Sequence, residues 1–335
     1  MNEPYRASSQ KATRKPRTFG LVPRARAPGT LAPPDARSAR RRLFALGVGL
    51  LSLFGLGGPN RAEAAEPEAT PLEADRQLAK TRRAEGPLDL ISLYQDNYFL
   101  TGFGGATSNQ VKFQLSAKFD LWPNRGHHGA FFAFTERSRW NLYDKSAPFA
   151  ENNFLPELFY TYFHHASRYD PPPRCAFFHE RVGLVHESNG EDVRSRAWNR
   201  AYVESRFSCY GETHRYFVTS LRIWAPSFGS SDNPDIHKYL GYGELSFSLG
   251  NDGWSNWLND FDLTVHLRKG TRDWGTGSVE LDGRYRPPYG GSWRFTPHLY
   301  AQLFQGFGET LLRYDQSVTA FRIGIGFSDR SPRSK

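Results

Sequence analysis

Stretches in which apolar and polar residues alternate recur from about residue 97 to residue 328, and clusters of Gly, Pro, Asn and Asp separate them. A period of two is typical of β-strands that have one apolar and one polar face. The pattern predicts twelve strands, and a closed single-chain antiparallel barrel needs an even number. Their predicted bounds are 97–103, 110–121, 129–140, 156–166, 175–187, 199–209, 213–225, 238–249, 258–269, 276–286, 293–306 and 317–328. The prediction is therefore an all-β, 12-stranded antiparallel transmembrane β-barrel.

The composition allows a second all-β architecture. Aromatic residues make up 15% of the chain, glycine occurs 31 times and the mean hydropathy is −0.61. A transmembrane barrel has such values because only every second residue of each strand faces lipid. A soluble β-sandwich has similar values, and it is the alternative that composition alone favours.

The first 64 residues have the pattern of an exported protein's leader. Arg40, Arg41 and Arg42 precede an apolar run at 43–56, and the small residues Ala62, Ala64 and Ala65 follow. This order of basic, apolar and small residues predicts a secretory signal peptide. The apolar run has 14 residues, fewer than the roughly 20 that a transmembrane helix needs. A membrane anchor or a buried helix is the alternative interpretation of this run.

The remaining chain divides into three predicted parts. Residues 65–90 are charged and lack aromatic residues, which predicts a mobile periplasmic lead-in. Residues 91–328 form the predicted barrel, and residues 329–335 form a polar C-terminal tail. After cleavage near Ala64 about 270 residues remain, which is enough for one large barrel. No later stretch is long and apolar enough to cross a membrane as a helix.

The net charge of +9 lies entirely in the leader. Residues 1–64 hold 12 of the 43 basic residues and 3 of the 34 acidic residues, so the rest of the chain holds 31 of each. A mature chain without net charge has no general electrostatic attraction for nucleic acid. We therefore expect no nucleic-acid partner.

Residues 182–200 contain the candidate catalytic residues His186, Ser188 and Asn199. Residues two apart on a strand project from the same face, so the imidazole of His186 and the hydroxyl of Ser188 are expected side by side. A following antiparallel strand can bring Asn199 beside His186. This combination supplies a serine nucleophile, a histidine base and an amide that orients the base. A polar hairpin loop is the alternative interpretation of the segment.

The alternation places His186, Ser188 and Asn199 on the more apolar, lipid-facing side of their strands. Charged residues such as Arg181 then point into the barrel, and Glu180 is an exception because it shares the apolar face. A catalytic set on the outer surface makes sense for an enzyme whose substrate is the membrane. A non-catalytic outer-membrane barrel, either a channel or a structural protein, leaves these three residues unexplained. A soluble periplasmic β-sandwich esterase is the other alternative.

The direction of the strands gives an independent expectation about the turns. If both ends of the barrel chain are periplasmic, odd-numbered predicted strands run outward, and the fifth delivers His186 to the external end. The turns that contain Ser146, residues 191–195 and residues 232–235 then lie at that same end. The candidate functional groups are therefore expected together, towards the outer leaflet.

Several ordered segments between about residues 90 and 328 carry a family pattern. The most specific are His186-Glu187-Ser188-Asn189-Gly190 and Ser195-Arg196-Ala197-Trp198-Asn199-Arg200. Further matches lie at residues 111–116, 146–149, 156–159, 232–236, 238–239 and 306–311. Together they closely resemble the outer-membrane phospholipase A family. The resemblance implies calcium-dependent hydrolysis of the acyl esters of phospholipids and lysophospholipids (phospholipase A1 and A2 activity) in the bacterial outer membrane.

The resemblance also implies a mechanism for that hydrolysis. Ser188 attacks the ester carbonyl, and His186 takes the hydroxyl proton and returns it to the leaving alcohol. Asn199 holds the imidazole through its ring N–H. An amide orients the ring without adding charge, which suits a site bordering lipid, where an unpaired carboxylate is costly to bury.

Bound Ca²⁺ is a further implication, and this ion takes about six to eight oxygen ligands. The hydroxyl of Ser195 and the backbone carbonyl of Glu191 are the implied ligands of the catalytic ion, together with a carbonyl at Ser146 of the partner subunit. Asp192 and Asp232 match a second calcium site of the family. Ordinary solvated loop carboxylates are the alternative for these two acids.

The family is activated by homodimerisation, so the resemblance implies a homodimer in the active state. Two barrels would meet on their apolar faces, complete the calcium site and form clefts for acyl chains. The implied latent state is a monomer in an intact membrane, where phospholipid is scarce in the outer leaflet. Membrane damage would then supply the substrate and drive pairing.

Three features depart from the family pattern. The turn after Gly190 is one residue shorter, which can shift the calcium ligands. Glu136 stands where the family commonly has Gln near the active site, and we expect it to pair with calcium or with Arg137, or to form a charge pair in the lumen. The chain continues beyond Phe327 to Lys335, whereas a barrel usually ends on an aromatic residue. Either Phe327 serves internally as the assembly signal or folding is less efficient.

Cys175 and Cys209 are predicted near the periplasmic ends of neighbouring strands. The periplasm is oxidising, which favours a disulfide between them. However, the alternation places the two cysteines on opposite faces, which argues against a direct cross-strand bridge. Neither cysteine fits a catalytic role.

Overall fold

The computed structural model describes residues 90–103, 110–123, 127–164, 174–211, 215–225, 232–252, 260–287 and 295–329. The predicted leader at 1–64, the predicted lead-in up to residue 89 and the tail from residue 330 lie outside the described residues. Within the described ranges, no helix is long and apolar enough to cross a membrane.

Thirteen strands and one short helix make up the regular structure of the described residues. The strands are β1 (Ile91–Leu93), β2 (Asn97–Phe103), β3 (Val111–Asp120), β4 (His128–Trp140), β5 (Phe149–Phe163), β6 (Cys175–Ser188), β7 (Ala197–Tyr210), β8 (Arg215–Trp224), β9 (Gly243–Asp252), β10 (Asp260–Lys269), β11 (Gly277–Tyr285), β12 (Phe295–Gly306) and β13 (Val318–Asp329). The helix α1 (Ile236–Leu240) lies between β8 and β9.

Strands β2 to β13 form a closed antiparallel ring of twelve in which each strand pairs with its neighbours along the chain. The ring closes where β13 pairs with β2, from Phe321 opposite Phe103 to Phe327 opposite Asn97. The short strand β1 is an addition that the alternation did not predict, and it pairs with the far part of β3. The predicted 12-stranded antiparallel barrel is confirmed.

The predicted bounds are wrong for two strands. β5 begins at Phe149, not at residue 156, because its first half carries polar residues on both faces and so lacks a hydrophobic alternation. β9 begins at Gly243, not at residue 238, because the preceding residues form α1. Ile236 and Leu240, four residues apart, are both buried on one side of this helix.

The lumen of the barrel is filled by paired charges. Lys112 Nζ on β3 donates to Gln302 Oε1 on β12 at 2.7 Å, although two strands separate them in the ring. Glu309, in the turn after β12, receives Arg139 Nη2 at 2.9 Å and Arg322 Nη2 at 3.0 Å. Burial alone would raise the pKa of Glu309, but the surrounding cations lower it to about 2, so the carboxylate stays ionised. These bridges do not favour an open water-filled channel.

A second network in the lumen lies behind β6 and β7. Arg222 Nε donates to Glu204 Oε2 at 2.7 Å, and Arg181 Nη1 donates to the hydroxyl of Tyr94 at 3.2 Å. That hydroxyl in turn donates to Glu157 Oε1 at 3.0 Å. Removing one partner of such a buried set leaves a charge uncompensated, so the network fixes the strands that surround it.

The outer surface of the barrel is apolar, as a bilayer requires. Each of ten strands exposes at least one large hydrophobic side chain there, among them Phe99, Leu115, Phe134, Leu158, Leu184, Val203, Leu221, Phe261, Leu299 and Ile323. Residues between them in sequence, such as Thr135 and Glu157, are buried in the lumen. This inside-out arrangement is that of a transmembrane barrel and not that of a soluble β-sandwich, whose polar side faces water.

Cys175 and Cys209 form a disulfide, so the argument against a direct bridge is wrong. The register of β6 against β7 shifts between Phe177 and His179, where the structure has a β-bulge. The extra residue restores Cys175 to the same face as Cys209 and places the two directly opposite each other. Counting alternate faces back along β6 from His186 therefore assigns the wrong face to the residues that precede the bulge.

Candidate active site

The centre of the site is a hydrogen bond between His186 and Asn199 on the outer surface of the barrel. The two residues are direct partners in the ladder between β6 and β7, and His186 Nδ1 lies 2.6 Å from Asn199 Oδ1. Because an amide oxygen can only accept, Nδ1 carries the hydrogen and donates it. With Nδ1 as the donor, Nε2 is the ring nitrogen that can serve as a general base.

Ser188 lies on the same outward face as His186, two residues further along β6, and pairs with Ala197. Leu184 and His186 are exposed, and Ser188 is half-buried. In the described part of the chain, no hydrogen bond joins the hydroxyl of Ser188 to His186. Such bonds are often long before the substrate binds, so the shared face is the relevant geometry.

The ladder between β5 and β6 is interrupted beside His186. Pairing runs from Phe154 opposite Ser188 to Glu157 opposite Val185, and passes over Leu155 and Pro156. Pro156 stands across from His186 and has no N–H to donate. The backbone around His186 therefore lacks part of its pairing with β5, on the side away from Asn199.

The lumen side of the same strands supports the site from behind. Arg200 Nη2 donates to Glu187 Oε2 at 2.7 Å, and its guanidinium lies 3.7 Å from the centre of the Trp198 ring. Glu187 and Arg200 each sit next in sequence to a member of the His186–Asn199 pair. The inner ion pair therefore fixes the backbones whose outward side chains form the site.

Asn189 organises the turn between β6 and β7. Its Nδ2 donates to the carbonyl of Arg194 at 2.7 Å, and its Oδ1 accepts from the N–H of Arg196 at 2.9 Å. Gly190 follows with a φ of 64°, a conformation that glycine adopts without strain. The buried amide of Asn189 thereby sets the path of the turn that carries three of the predicted calcium ligands, Glu191, Asp192 and Ser195.

The structure brings together two predicted calcium ligands from different turns. Ser195 Oγ donates to Asp232 Oδ2 at 2.7 Å, and Asn233 Oδ1 accepts from the N–H of Ala197 at 3.2 Å. These bonds join the β6–β7 turn to the segment that precedes α1. Tyr314 holds the far side of that segment through a 2.5 Å bond to Asp235. Burial and this bond raise the pKa of Tyr314, so the hydroxyl remains a donor.

The other predicted calcium ligands lie at the same end of the barrel without being joined to this pair by a described contact. Both carboxylate oxygens of Glu191 are taken by Arg194, at 2.9 and 3.1 Å, so the backbone carbonyl of Glu191 is the oxygen that fits the prediction. Asp192 is exposed in the same turn. Among the residues that the structure describes, no three His, Cys, Asp or Glu side chains converge as a metal site.

Ser146 lies in a strained turn between β4 and β5. Its φ is 67° and that of Ala147 is 40°, values that residues with a side chain rarely adopt. Trp140 Nε1 donates to the carbonyl of Ala147 at 2.7 Å and holds the turn in place. Such strain is often kept where a turn has a function.

Glu136 lies on the outer face of β4, and the expected pairing with Arg137 is wrong. Arg137 points into the barrel, where its Nε donates to Gln114 Oε1 at 3.0 Å. Adjacent residues on a strand point to opposite sides, so the expected lumen charge pair is wrong as well. Glu136 instead accepts a hydrogen bond from Ser138 Oγ at 3.1 Å.

Sequence reasoning missed the residues that hold the site in shape. Asn189 and Asn233 lie in segments that match the family pattern, but neither was predicted to have a role. Their signal was present, because Asn before Gly and Asn before Pro are typical of turns whose side chains bond the backbone. The ladder gap at Pro156 also had a signal, because proline cannot donate within a sheet.

Comparisons with known proteins identify the family and the fold of the chain. The family model for phospholipase A1 matches residues 91–328. Phospholipase A1 of Proteus vulgaris is 34% identical over 235 residues, which cover 67% of this chain and 71% of that protein. The solved structure of outer membrane phospholipase A from Escherichia coli matches with a TM-score of 0.60 and 25% identity, over 78% of this chain and 98% of that chain. A Salmonella typhi outer membrane phospholipase dimer with bound calcium matches with a TM-score of 0.59 and 24% identity, over 78% of this chain and 99% of that chain.

Proposed function

The chain belongs to the phospholipase A1 family, and we propose that it cleaves phospholipid and lysophospholipid acyl esters with Ser188 as nucleophile, His186 as base and Asn199 as the residue that orients the base. It is a phospholipase and a β-barrel of the bacterial outer membrane. The observation that carries the mechanism is the 2.6 Å hydrogen bond between His186 and Asn199 on the membrane-facing side of the barrel.

In the first half of the reaction, Ser188 Oγ attacks the carbonyl carbon of the ester. Its proton passes to His186 Nε2, while Nδ1 keeps its own hydrogen and continues to donate it to Asn199 Oδ1. When the tetrahedral intermediate collapses, the bond between the carbonyl carbon and the glycerol oxygen breaks. Nε2 returns the proton to that oxygen, and a lysophospholipid leaves the acylated serine.

In the second half, water replaces the alcohol. His186 Nε2 takes a proton from the water as its oxygen attacks the acyl carbon, and then gives that proton to Ser188 Oγ. The fatty acid leaves and the free serine is restored. Asn199 keeps the ring oriented through both halves without placing a second charge beside lipid.

The oxygen donors of the turns fit the two calcium sites that the family resemblance implies. Ser195 Oγ and the Glu191 carbonyl belong to the catalytic site, and the carboxylates of Asp192 and Asp232 belong to the second. Ser195 Oγ and the carboxylate of Asp232 meet at 2.7 Å, and the carbonyl of Glu191 and the carboxylate of Asp192 lie in the same turn as Ser195. Hydroxyl, carbonyl and carboxylate oxygens are the ligands that calcium prefers. When bound, calcium supplies a Lewis acid that stabilises the negative charge developing on the ester oxygen.

The proposed active form is a homodimer, with Ser146 of the partner subunit adding a carbonyl to the calcium site. The strained φ of 67° at Ser146 supports a role for this turn. The exposed apolar surface beside the site supplies a face on which two barrels can meet within the bilayer. In this arrangement the active site faces the outer leaflet.

The experiment that tests the proposal compares the wild-type protein with Ser188→Ala in detergent micelles. Fatty-acid release from phosphatidylcholine is measured with calcium and with EDTA. We expect release that requires calcium and is lost in Ser188→Ala. Ser116→Ala is the matched control, because the hydroxyl of Ser116 is buried in the lumen and bonds Thr135 at 2.7 Å.

The outcomes separate the parts of the proposal. Activity that survives Ser188→Ala would exclude Ser188 as the nucleophile. Activity that persists in EDTA would exclude the calcium requirement. A folded barrel without activity under any condition would favour a non-catalytic outer-membrane protein. Sedimentation in the same detergent, with and without calcium, tests whether the active form is a dimer.

A further inference from the structure

A tyrosine in the lumen connects β5 to β7 across the inner face of β6. Tyr202 on β7 pairs with Gly183 on β6, and its buried hydroxyl donates to Glu157 Oε1 on β5. A Cβ atom at Gly183 would lie 2.7 Å from three atoms of the Tyr202 side chain. The ring therefore lies against the backbone of Gly183, and it reaches Glu157 because residue 183 has no side chain.

Further contacts hold both ends of this connection in place. The guanidinium of Arg222 on β8 lies 4.3 Å from the centre of the Tyr202 ring. Glu157 is buried as well, and its Oε1 also accepts the hydroxyl hydrogen of Tyr94 at 3.0 Å. A buried hydrogen-bond network whose members are satisfied is rigid. Tyr202 and Glu157 thus form a fixed connection, here called the cross-strand link, between two strands that are not neighbours.

The cross-strand link lies next to the gap in the ladder between β5 and β6. That ladder passes over Leu155 and Pro156 and resumes at Glu157 opposite Val185. The pairs between β6 and β7, in contrast, run without a break from His179 to Ser188. Beside His186, β6 is therefore paired less completely with β5 than with β7. A side-chain link from β5 to β7 compensates for this difference at the first residue after the gap.

The outward side chains of the same three strands surround the imidazole of His186. Pro156 on β5 stands on one side of His186, and Asn199 on β7 pairs with it on the other. A link of fixed length between β5 and β7 therefore sets the width of the space that the imidazole occupies. If β5 moved away from β7, the ring could tilt away from the hydroxyl of Ser188.

We propose that Tyr202 is a positioning residue for hydrolysis. Through Glu157 it fixes β5 against β7, and so it keeps His186 aligned with Ser188. The inference rests on the proposed function, because it takes His186 as the base. Tyr202 lies in the lumen and touches no reacting atom, so its loss should slow the chemical step without weakening the binding of phospholipid. We therefore expect kcat to fall while KM stays the same.

The test compares Tyr202→Phe with Tyr300→Phe and measures kcat and KM for phosphatidylcholine in micelles with saturating calcium. Tyr300 is the matched control, since it is also buried in the lumen and donates to a carboxylate, Asp96 Oδ2 at 3.2 Å, but lies on β12. Each variant loses one buried hydroxyl, so both should lower the urea midpoint of unfolding. Only Tyr202→Phe should lower kcat, by about 5-fold to 30-fold, because a small misalignment of the reacting groups is costly.

Three further variants separate the cross-strand link from the loss of a buried hydrogen bond. Tyr94→Phe removes the other hydroxyl from Glu157 without a connection to β7, so kcat should stay close to that of the wild type. Glu157→Gln keeps an oxygen that accepts from Tyr202, so it should keep most of the rate. Gly183→Ala should push the ring away from Glu157 and lower kcat as Tyr202→Phe does. The two changes together should cost little more than either one alone, because both break the same link.

A second readout needs no substrate. The hydrogen that His186 Nδ1 donates to Asn199 gives an NMR signal, which is assigned by its loss in His186→Ala. This signal should shift or broaden in Tyr202→Phe and stay unchanged in Tyr300→Phe. If the wild-type protein hydrolyses no phospholipid, the proposed function fails, and the signal still tests whether Tyr202 positions the ring.

Several results would overturn the inference. An unchanged kcat in Tyr202→Phe would remove Tyr202 from the positioning of His186, and so would an unchanged NMR signal. An equal fall in kcat for Tyr300→Phe or Tyr94→Phe would assign the effect to a general loosening of the lumen. If Tyr202→Phe does not fold, Gly183→Ala takes its place, and wild-type kcat in that variant would contradict the proposal.

Discussion

Two histidines on β6 show how differently the two sides of the barrel wall are built. His179 points into the lumen, where it is 3% exposed and its Nε2 meets Glu204 Oε1 at 3.0 Å. His186 points outward and donates from Nδ1 to Asn199 Oδ1 at 2.6 Å. Both partners lie on β7, so the same two strands carry one pair on each face.

The partners differ because the surroundings differ. Inside, the carboxylate of Glu204 is also met by Arg222 at 2.6 Å and Arg181 at 3.4 Å, so His179 is one member of a neutralised network. Outside, a charged partner would be costly beside lipid, and an amide orients the ring of His186 without adding charge. Under the proposed mechanism, the histidine pair of this barrel is structural in the lumen and reactive on the outer face.

The largest expected effect comes from removing the reactive histidine. His186→Ala should lower the rate of phospholipid hydrolysis roughly 10³-fold or more, because the serine loses its base. The barrel should remain as stable as the wild type, since His186 is exposed. The measurements are fatty-acid release in micelles and urea unfolding followed by tryptophan fluorescence.

The matched variant on the same strand is His179→Ala. It should keep activity within about threefold but lower the free energy of unfolding by about 1–3 kcal/mol, because it removes a buried hydrogen bond to Glu204 and the packing of a buried ring. If His179→Ala abolished hydrolysis in a fully folded barrel, the division between a structural lumen and a reactive face would be wrong.

The second effect concerns the orienting amide. Asn199→Ala should lower kcat by about 10-fold to 100-fold, because the ring of His186 can then rotate away from Ser188. Asn199→Asp should lose less, since a carboxylate oxygen can accept the same Nδ1 hydrogen. Glu204→Gln in the lumen is the control, and it should change stability more than kcat. Equal rates for Asn199→Ala and the wild type would remove Asn199 from the mechanism.

The third effect concerns calcium. Asp232→Asn should raise the calcium concentration needed for half-maximal activity by about 10-fold, and saturating calcium should restore most of the rate. Asp235→Asn is the control from the same segment, since its carboxylate bonds Tyr314 and is not a proposed ligand. The measurement is activity titrated with buffered calcium. The same calcium curve for Asp232→Asn and Asp235→Asn would count against the proposed ligand.

The alternation of apolar and polar residues was enough to predict the barrel and its outer face, because lipid requires an apolar side chain at every second position of a strand. It failed where that requirement is absent. In the first half of β5, Glu151 and Asn153 face the lumen and Asn152 lies on the outer face, so the predicted strand begins only at residue 156. It also failed at α1, where Ile236 and Leu240 pack at the rim of the barrel with helical spacing.

The candidate catalytic residues could be proposed from the sequence, but the contacts that support them could not. His186, Ser188 and Asn199 were found because a strand spaces them in a known way and their chemistry is distinctive. The turn bonds of Asn189 and the ion pair of Glu187 with Arg200 depend on chain segments whose contacts only the fold determines. A single count along β6 also could not reveal the bulge near Phe178, because one extra residue leaves no mark in the composition of the strand.

The smallest expected effect on activity comes from the disulfide. The double change Cys175→Ser with Cys209→Ser should leave hydrolysis within about twofold at room temperature, since the bridge lies at the opposite end of the β6–β7 hairpin from His186 and Asn199. It should lower the free energy of unfolding by about 3–4 kcal/mol, because the bridge closes a loop with a sequence separation of 34 residues. The measurements are thermal inactivation and urea unfolding, with the wild type under reducing conditions as the control.

A large loss of activity in that double variant would mean that the difference between the two faces of β6 depends on the disulfide. Because the bulge near Phe178 lets the register of β6 slip by one residue, the bridge could be what keeps His186 opposite Asn199. A one-residue slip would turn His186 towards the lumen and His179 towards the lipid, exchanging the reactive and structural faces. Preserved activity would instead mean that the lumen network of Arg181, Glu204 and Arg222 holds the register alone, and that the inner face determines the geometry of the outer one.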